Sequence, residues 1–227
     1  MKKYYDIGNG SLSRLVIEKA LKRLAQLLSE QNKRVELVAA GGVISVMLFG
    51  SRQMTRDIDV IIPQKDKALI ANLVETVAKE QGLPSGHHAW LNDGVSFFGL
   101  KTRSNKKVFD HPNLVVFTAS WYELLGMKLS GAWRRDADFN DAVHIVRQIG
   151  NKDKEKALKE SIRYKNFSPH TDDNTYKKRF DRTNSESWSQ ALNHTTRKSQ
   201  ISHVRPDPTY SSQLYFLFTP RFCKVTD

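Results

Sequence analysis

The sequence predicts an α/β (α+β) fold. Three short runs read as strands: VELVAA (35–40), DIDVIIP (57–63) and NLVVFTA (113–119). Between and after them lie longer stretches with apolar residues at helical spacing. The order is helix, strand, helix, strand, helix, strand, then helices, a pattern in which strands share a sheet covered by helices.

Residues 11–32 place Leu15, Ile17, Ala20, Leu21, Leu24, Leu27 and Leu28 at helical spacing, and Ser11 or Ser13 is positioned to cap the start. VELVAA is a short buried strand. Gly41-Gly42 closes it and opens a second helix through VISVMLFG (43–50). DIDVIIP first alternates and then runs apolar, and Pro63 ends it. A third helix covers 65–81. After the strand at 113–119, helices are expected over 120–133, 138–149 and 151–165. From Phe167 the pattern fails: Ser, Thr, Asn, Asp and Lys dominate until YFLF (215–218). The expectation is therefore a folded domain over 1–166 and a polar, basic, poorly ordered tail over 167–227.

The chain has 227 residues, 39% of them hydrophobic, and a formal net charge of +12. Residues 1–150 carry 21 basic and 15 acidic residues, and the remainder carries 15 and 9 in about half the length. That excess favours phosphate-bearing partners, and a merely solvated basic surface fits it equally well. No run approaches the roughly 18–20 apolar residues that a bilayer requires. No apolar signal segment follows MKKYYDIGNG. The single cysteine, Cys223, excludes an intrachain disulfide and a cysteine-based zinc cluster. The expectation is a cytoplasmic (intracellular) protein with no membrane partner.

The segment richest in chemistry is 35–63. Asp57 and Asp59 stand two apart on a strand, so both side chains project to one face. Two carboxylates held together repel unless a cation lies between them, and hard ions such as Mg²⁺ take such oxygens and bring substrate phosphates with them. A plain pair of acids at a strand end has the same pattern. Gly41-Gly42 lets the backbone approach a ligand at a strand–helix junction, where free N–H groups bind anions; a tight turn alone also needs glycine there. Ser51-Arg52 and Thr55-Arg56 precede the carboxylates and carry groups that hydrogen-bond and neutralise phosphate.

Taken together, a glycine pair and then SRxxTxDID resembles the motif of the nucleotidyltransferase fold, with a gap of 14 residues between Gly42 and Asp57. It looks like the branch that includes AbiEii-like and MenA-like toxin nucleotidyltransferases. HHAWLNDGVSFF (87–98) is similar to a WLND segment of that branch, and 108–146 resembles its second half, so the resemblance covers roughly residues 12–150. It implies a small mixed sheet flanked by helices, with a C-terminal helical segment. It implies a metal-dependent transfer of NMP from an NTP to a hydroxyl on an RNA, possibly tRNA, or protein acceptor. It also implies Mg²⁺ (or Mn²⁺) on Asp57 and Asp59, and Gly41, Gly42, Ser51, Arg52, Thr55 and Lys128 around the nucleotide. Lys128, Asp138 and Asp141 match its helical lysine and DxxD.

Physics gives the carried-over residues both roles and rivals. Lys128 reaches into a cleft or snorkels at the surface. Asp138 falls where a helix N-cap would sit, and both acids of DxxD are candidates to position Lys128 or Arg135 or to assist proton transfer. Arg134 and Arg135 suit a nucleotide or RNA. For a third metal carboxylate the candidates are Asp93, Asp110 and Glu123, none of which fits cleanly. Val43-Ile44 stands where a small residue is usual and is expected to narrow the pocket. His87-His88 lacks zinc spacing. His144, Trp90 and Trp121 read as packing residues. A catalytically degenerate nucleotide- or RNA-binding module on the same fold is the alternative function.

Overall fold

The computed structural model describes residues 11–100, 102–131, 136–150, 154–167 and 171–201. A two-residue strand β1 (Leu12–Ser13) leads into α1 (Arg14–Glu30). Ser13 caps that helix by accepting a hydrogen bond from the Val16 N–H at 3.4 Å, which satisfies one of the first-turn donors. Ile17, Ala20, Leu21, Leu24, Ala25, Leu27 and Leu28 form its buried stripe. Leu15 shares the helical spacing but lies 68% exposed on the opposite face.

The central sheet has five strands in the order β5 (Leu91–Asn92), β4 (Ile58–Ile61), β2 (Val35–Ala40), β7 (Leu114–Ala119), β6 (Arg103–His111). It is mixed: β2 runs antiparallel to β4 and parallel to β7, β4 is parallel to β5, and β6 is antiparallel to β7. Every residue of β7 is buried, as expected of a strand covered on both faces. A second, two-stranded ladder pairs β1 with β3 (Met54–Thr55). Among the helices, α3 (Lys67–Gln81) packs Ile70, Leu73, Val74 and Val77 into the core. Trp90 is fully buried, and its indole N–H donates to the Val74 carbonyl at 3.1 Å.

The helices expected at 120–133, 138–149 and 151–165 are α4 (Trp121–Gly131), α5 (Asp136–Ile149) and α6 (Lys154–Ser161). The helix expected over 43–50 is present: the short segment α2 (Gly42–Ile44) continues as a wider π turn over Ser45–Phe49 and ends at Gly50. The pocket wall there differs from the sequence reading. Val43 and Ile44 are buried in the core and do not narrow the pocket.

The larger correction concerns the tail. Residues Asp173–Ile201 form a helix, α7. Tyr176 and Phe180 on it are 0% and 1% exposed, and Thr183, Asn184 and Ser187 are buried as well. The chain divides into two compact units at Ser187/Trp188, well beyond residue 166. Two aromatics one helical turn apart are enough to seat this stretch, since burying each contributes about 1.5–3 kcal/mol. The residues around them in 171–187 are mostly polar or charged, which is why composition hid it. In the second unit the described residues continue α7 to Ile201. YFLF (215–218) and Cys223 lie outside the described residues.

Candidate active site

A cleft of about 870 Å³ opens over the end of the sheet. Its lining includes Gly41, Gly42, Arg52, Thr55, Asp57, Asp59, Lys128 and Asp138, residues from four separate stretches of sequence. The sheet register sets the first contact. Ala40 of β2 stands opposite Asp59 of β4, so the backbone turn after Ala40 falls beside the Asp59 carboxylate. Gly41 adopts φ +72° there, and a Cβ at that position would stand 2.5 Å from Asp59 Oδ2. A Cβ on Gly42 would likewise collide with the Thr55 hydroxyl. A side chain at either glycine would displace the Asp59 carboxylate or the Thr55 hydroxyl, and at Gly41 the backbone sign favours glycine as well. Asp57, just before β4, joins Asp59 on the same wall.

The cleft is also lined by members of a network of two cations and two carboxylates. Arg52 reaches Asp141 with Nη2–Oδ2 at 2.5 Å and Nε–Oδ1 at 3.4 Å, and Asp138 at 3.2 Å. Lys128 Nζ lies 3.0 Å from Asp138 and 2.8 Å from Asp141. Both acids are 1% exposed. Buried charge is tolerated here because each carboxylate meets both cations, so the cluster balances its formal charge. Asp138 is the third residue of α5 and turns its side chain inward to this cluster, so it is not the N-cap.

Ser51 is absent from the cleft lining, and its hydroxyl donates to Asp141 at 3.3 Å. Arg56 lines the cleft and is exposed. Arg134 and Arg135 lie outside the described residues. The three further acids are engaged elsewhere. Asp93 pairs with Lys67 at 2.6 Å and accepts from the Ile62 N–H, and Asp110 pairs with Lys107 at 2.7 Å. Glu123 is buried and accepts from the Thr102 N–H and hydroxyl and from the Tyr164 hydroxyl. Burial, followed by that bond to Glu123, pushes the Tyr164 hydroxyl above its ordinary pKa.

His87 and His88 occupy one exposed turn. His144 stacks on Phe49 at 5.3 Å, and burial, with Arg147 nearby, pushes its imidazole below the ordinary value against the opposing pull of Asp141. Trp121 stands 6.0 Å from the same phenyl ring.

No protein-family model, curated protein or solved structure significantly matches this chain. The site must therefore be read from its own chemistry. Among the described residues no group of three or more His, Cys, Asp and Glu side chains is gathered for a metal. Asp57 and Asp59 nevertheless offer hard oxygen donors at an open cleft, beside glycines cleared of side chain. That donor set fits a magnesium-type ion, which binds through one or two carboxylates and completes its shell with water and phosphate oxygens.

The sequence reading missed Asn92. Its amide N–H₂ donates to Asp57 Oδ2 at 3.4 Å, and its Oδ1 accepts from the Gly94 N–H at 2.8 Å. The signal lay in WLND, where Asn92 stands next to the charged Asp93.

Proposed function

We propose that this protein is a metal-dependent nucleotidyltransferase. The observation that carries the reading is the meeting of Asp57, Asp59, the Gly41-Gly42 turn, Thr55, Arg52 and Lys128 around one cleft. In the reaction, an acceptor hydroxyl on RNA or protein attacks the α-phosphorus of an NTP. The bond to the bridging oxygen breaks, pyrophosphate leaves, the hydroxyl proton is released to water, and the acceptor carries the NMP. Magnesium or manganese, when bound, supplies Lewis-acid polarisation of the phosphate oxygens. Asp57 and Asp59 are the residues that would hold it. The glycine turn admits the polyphosphate close to the backbone, and Thr55 offers a hydroxyl beside it. Arg52 and Lys128 line the cleft and would donate N–H groups to the phosphates, while Asp138 and Asp141, which balance their charge, hold both side chains in place before substrate arrives.

The test is incubation with labelled NTPs, Mg²⁺ and total RNA or protein. Label transfer by the wild type and its loss in Asp57→Ala and Asp59→Ala are expected. Transfer that persists unchanged in both variants overturns the reading.

One observation favours a second reading, a non-catalytic nucleotide- or RNA-binding module. Asp93, Asp110 and Glu123 are all committed to other partners, which leaves the cleft two acids from the strand region. That reading expects binding that weakens steeply with salt, and no turnover.

A further inference from the structure

Asn92 lies opposite Asp59 in the parallel pairing of β5 with β4. Asp57 stands two residues before Asp59, so the three side chains share one face of the sheet edge. The Asn92 amide is fixed at its oxygen end. Its oxygen is pinned by the Gly94 N–H at 2.8 Å, which leaves its NH₂ turned to Asp57 Oδ2 at 3.4 Å. Gly94 allows this: a Cβ there would stand 2.8 Å from the same Asn92 oxygen. The neighbouring acid, Asp93, faces away to Lys67 and the Ile62 N–H. The strand position beside the two acids is thus filled by a neutral donor.

We propose that Asn92 is a positioning residue for a divalent cation at Asp57 and Asp59, orienting the Asp57 carboxylate while keeping the local charge at two acids. The inference rests on the reading of those two acids as a cation pair. A carboxylate held by one hydrogen bond keeps its second oxygen aimed and loses less freedom on binding the ion, and removal of such outer partners typically costs 10–100-fold in metal affinity. Keeping the third position neutral also limits affinity for the bare ion. Tight binding then depends on the charge that a triphosphate brings, because divalent affinity follows the count of charged ligands.

The experiment measures Mn²⁺ alone, by calorimetry and by the shift in melting temperature, on the full chain without nucleotide. Asn92→Ala is expected to weaken Mn²⁺ binding roughly tenfold. Asn92→Asp keeps the acceptor for the Gly94 N–H but adds charge. It is expected to bind Mn²⁺ at least about tenfold more tightly, and to gain more melting temperature from Mn²⁺ than the wild type does. A position 92 that does not lie beside the ion would leave Asn92→Asp like the wild type. If Asn92→Ala does not fold, Asn92→Asp alone decides. Binding by Asn92→Asp within twofold of wild type overturns the inference, as does a folded Asn92→Ala that binds as wild type does. The Asp57→Ala/Asp59→Ala double variant separates the two levels. Loss of Mn²⁺ binding there, with unchanged Asn92 variants, overturns only the role of Asn92. Binding unchanged in the double variant, or a wild type that binds no Mn²⁺, overturns the cation pair and the role of Asn92 together.

Discussion

Arg52 and Asp141 stand 89 positions apart and meet side-on, the guanidinium presenting Nη2 to one carboxylate oxygen at 2.5 Å and Nε to the other at 3.4 Å. The two-point contact ties the loop before β4 to α5, and Lys128 of α4 closes the same cluster at 2.8 Å from Asp141. Three segments that line the cleft are thereby held to one another by charge.

Asp141→Ala is expected to lower stability by about 3 kcal/mol, since it removes one partner from two cations that are mostly withdrawn from water. Arg52→Ala/Asp141→Ala should cost less than the sum of the single changes, with a coupling of about 1–3 kcal/mol. Urea unfolding of the four proteins in the cycle measures both quantities. Additive single effects would show that the contact holds nothing together.

Gly41→Ala tests the close approach at the turn. The added methyl would meet Asp59 Oδ2 and would also force alanine to φ +72°. A cost of about 1–3 kcal/mol is expected from strain and overpacking. If Asp59 holds the proposed cation, Mn²⁺ binding should fall at the same time. Unfolding curves and metal titration of one preparation check the pair of effects.

Much of this architecture is written in local pattern. The apolar run of VELVAA, the alternation in DIDV and the periodicity of 67–81 each specify one element and one buried face. The Asp57/Asp59 pair and the glycine turn were legible for the same reason, since they lie within 19 residues of one another. What escaped depends on distant partners or on few residues. β6 carries only one buried residue, Val108, because it pairs on one side with β7 and otherwise faces water. β5 spans two residues and offers no period. α7 is seated by Tyr176 and Phe180 within a polar stretch. The cluster of Arg52, Lys128, Asp138 and Asp141 exists only once α4 and α5 pack together.

α7 is expected to be needed for stability, contrary to its polar composition. Phe180→Ala should cost about 3–5 kcal/mol, the usual range for a buried phenyl ring. Arg179 adds a link to the cleft, donating to the Leu129 carbonyl at 2.9 Å, one residue from Lys128. Limited proteolysis should accordingly leave residues 171–187 attached to the resistant core. A resistant fragment ending near residue 166, with unchanged unfolding midpoint, would remove this role for the helix.

His144 gives a pH dependence with a defined sign. Its imidazole lies below the ordinary value of 6.5, first through burial and then through Arg147, with Asp141 pulling the other way. The unfolded chain therefore takes up the proton before the folded one does. Stability contributed by the neutral ring is complete above about pH 6.5. It declines as pH falls toward the lower folded value, and falls no further from this group once both states are protonated. His144→Phe keeps a ring against Phe49, whose centroid lies 5.3 Å from the imidazole. Urea midpoints between pH 8 and pH 5 should fall less steeply in that variant than in the wild type. Parallel curves would show that the ring titrates alike in both states and that its burial carries no energetic consequence.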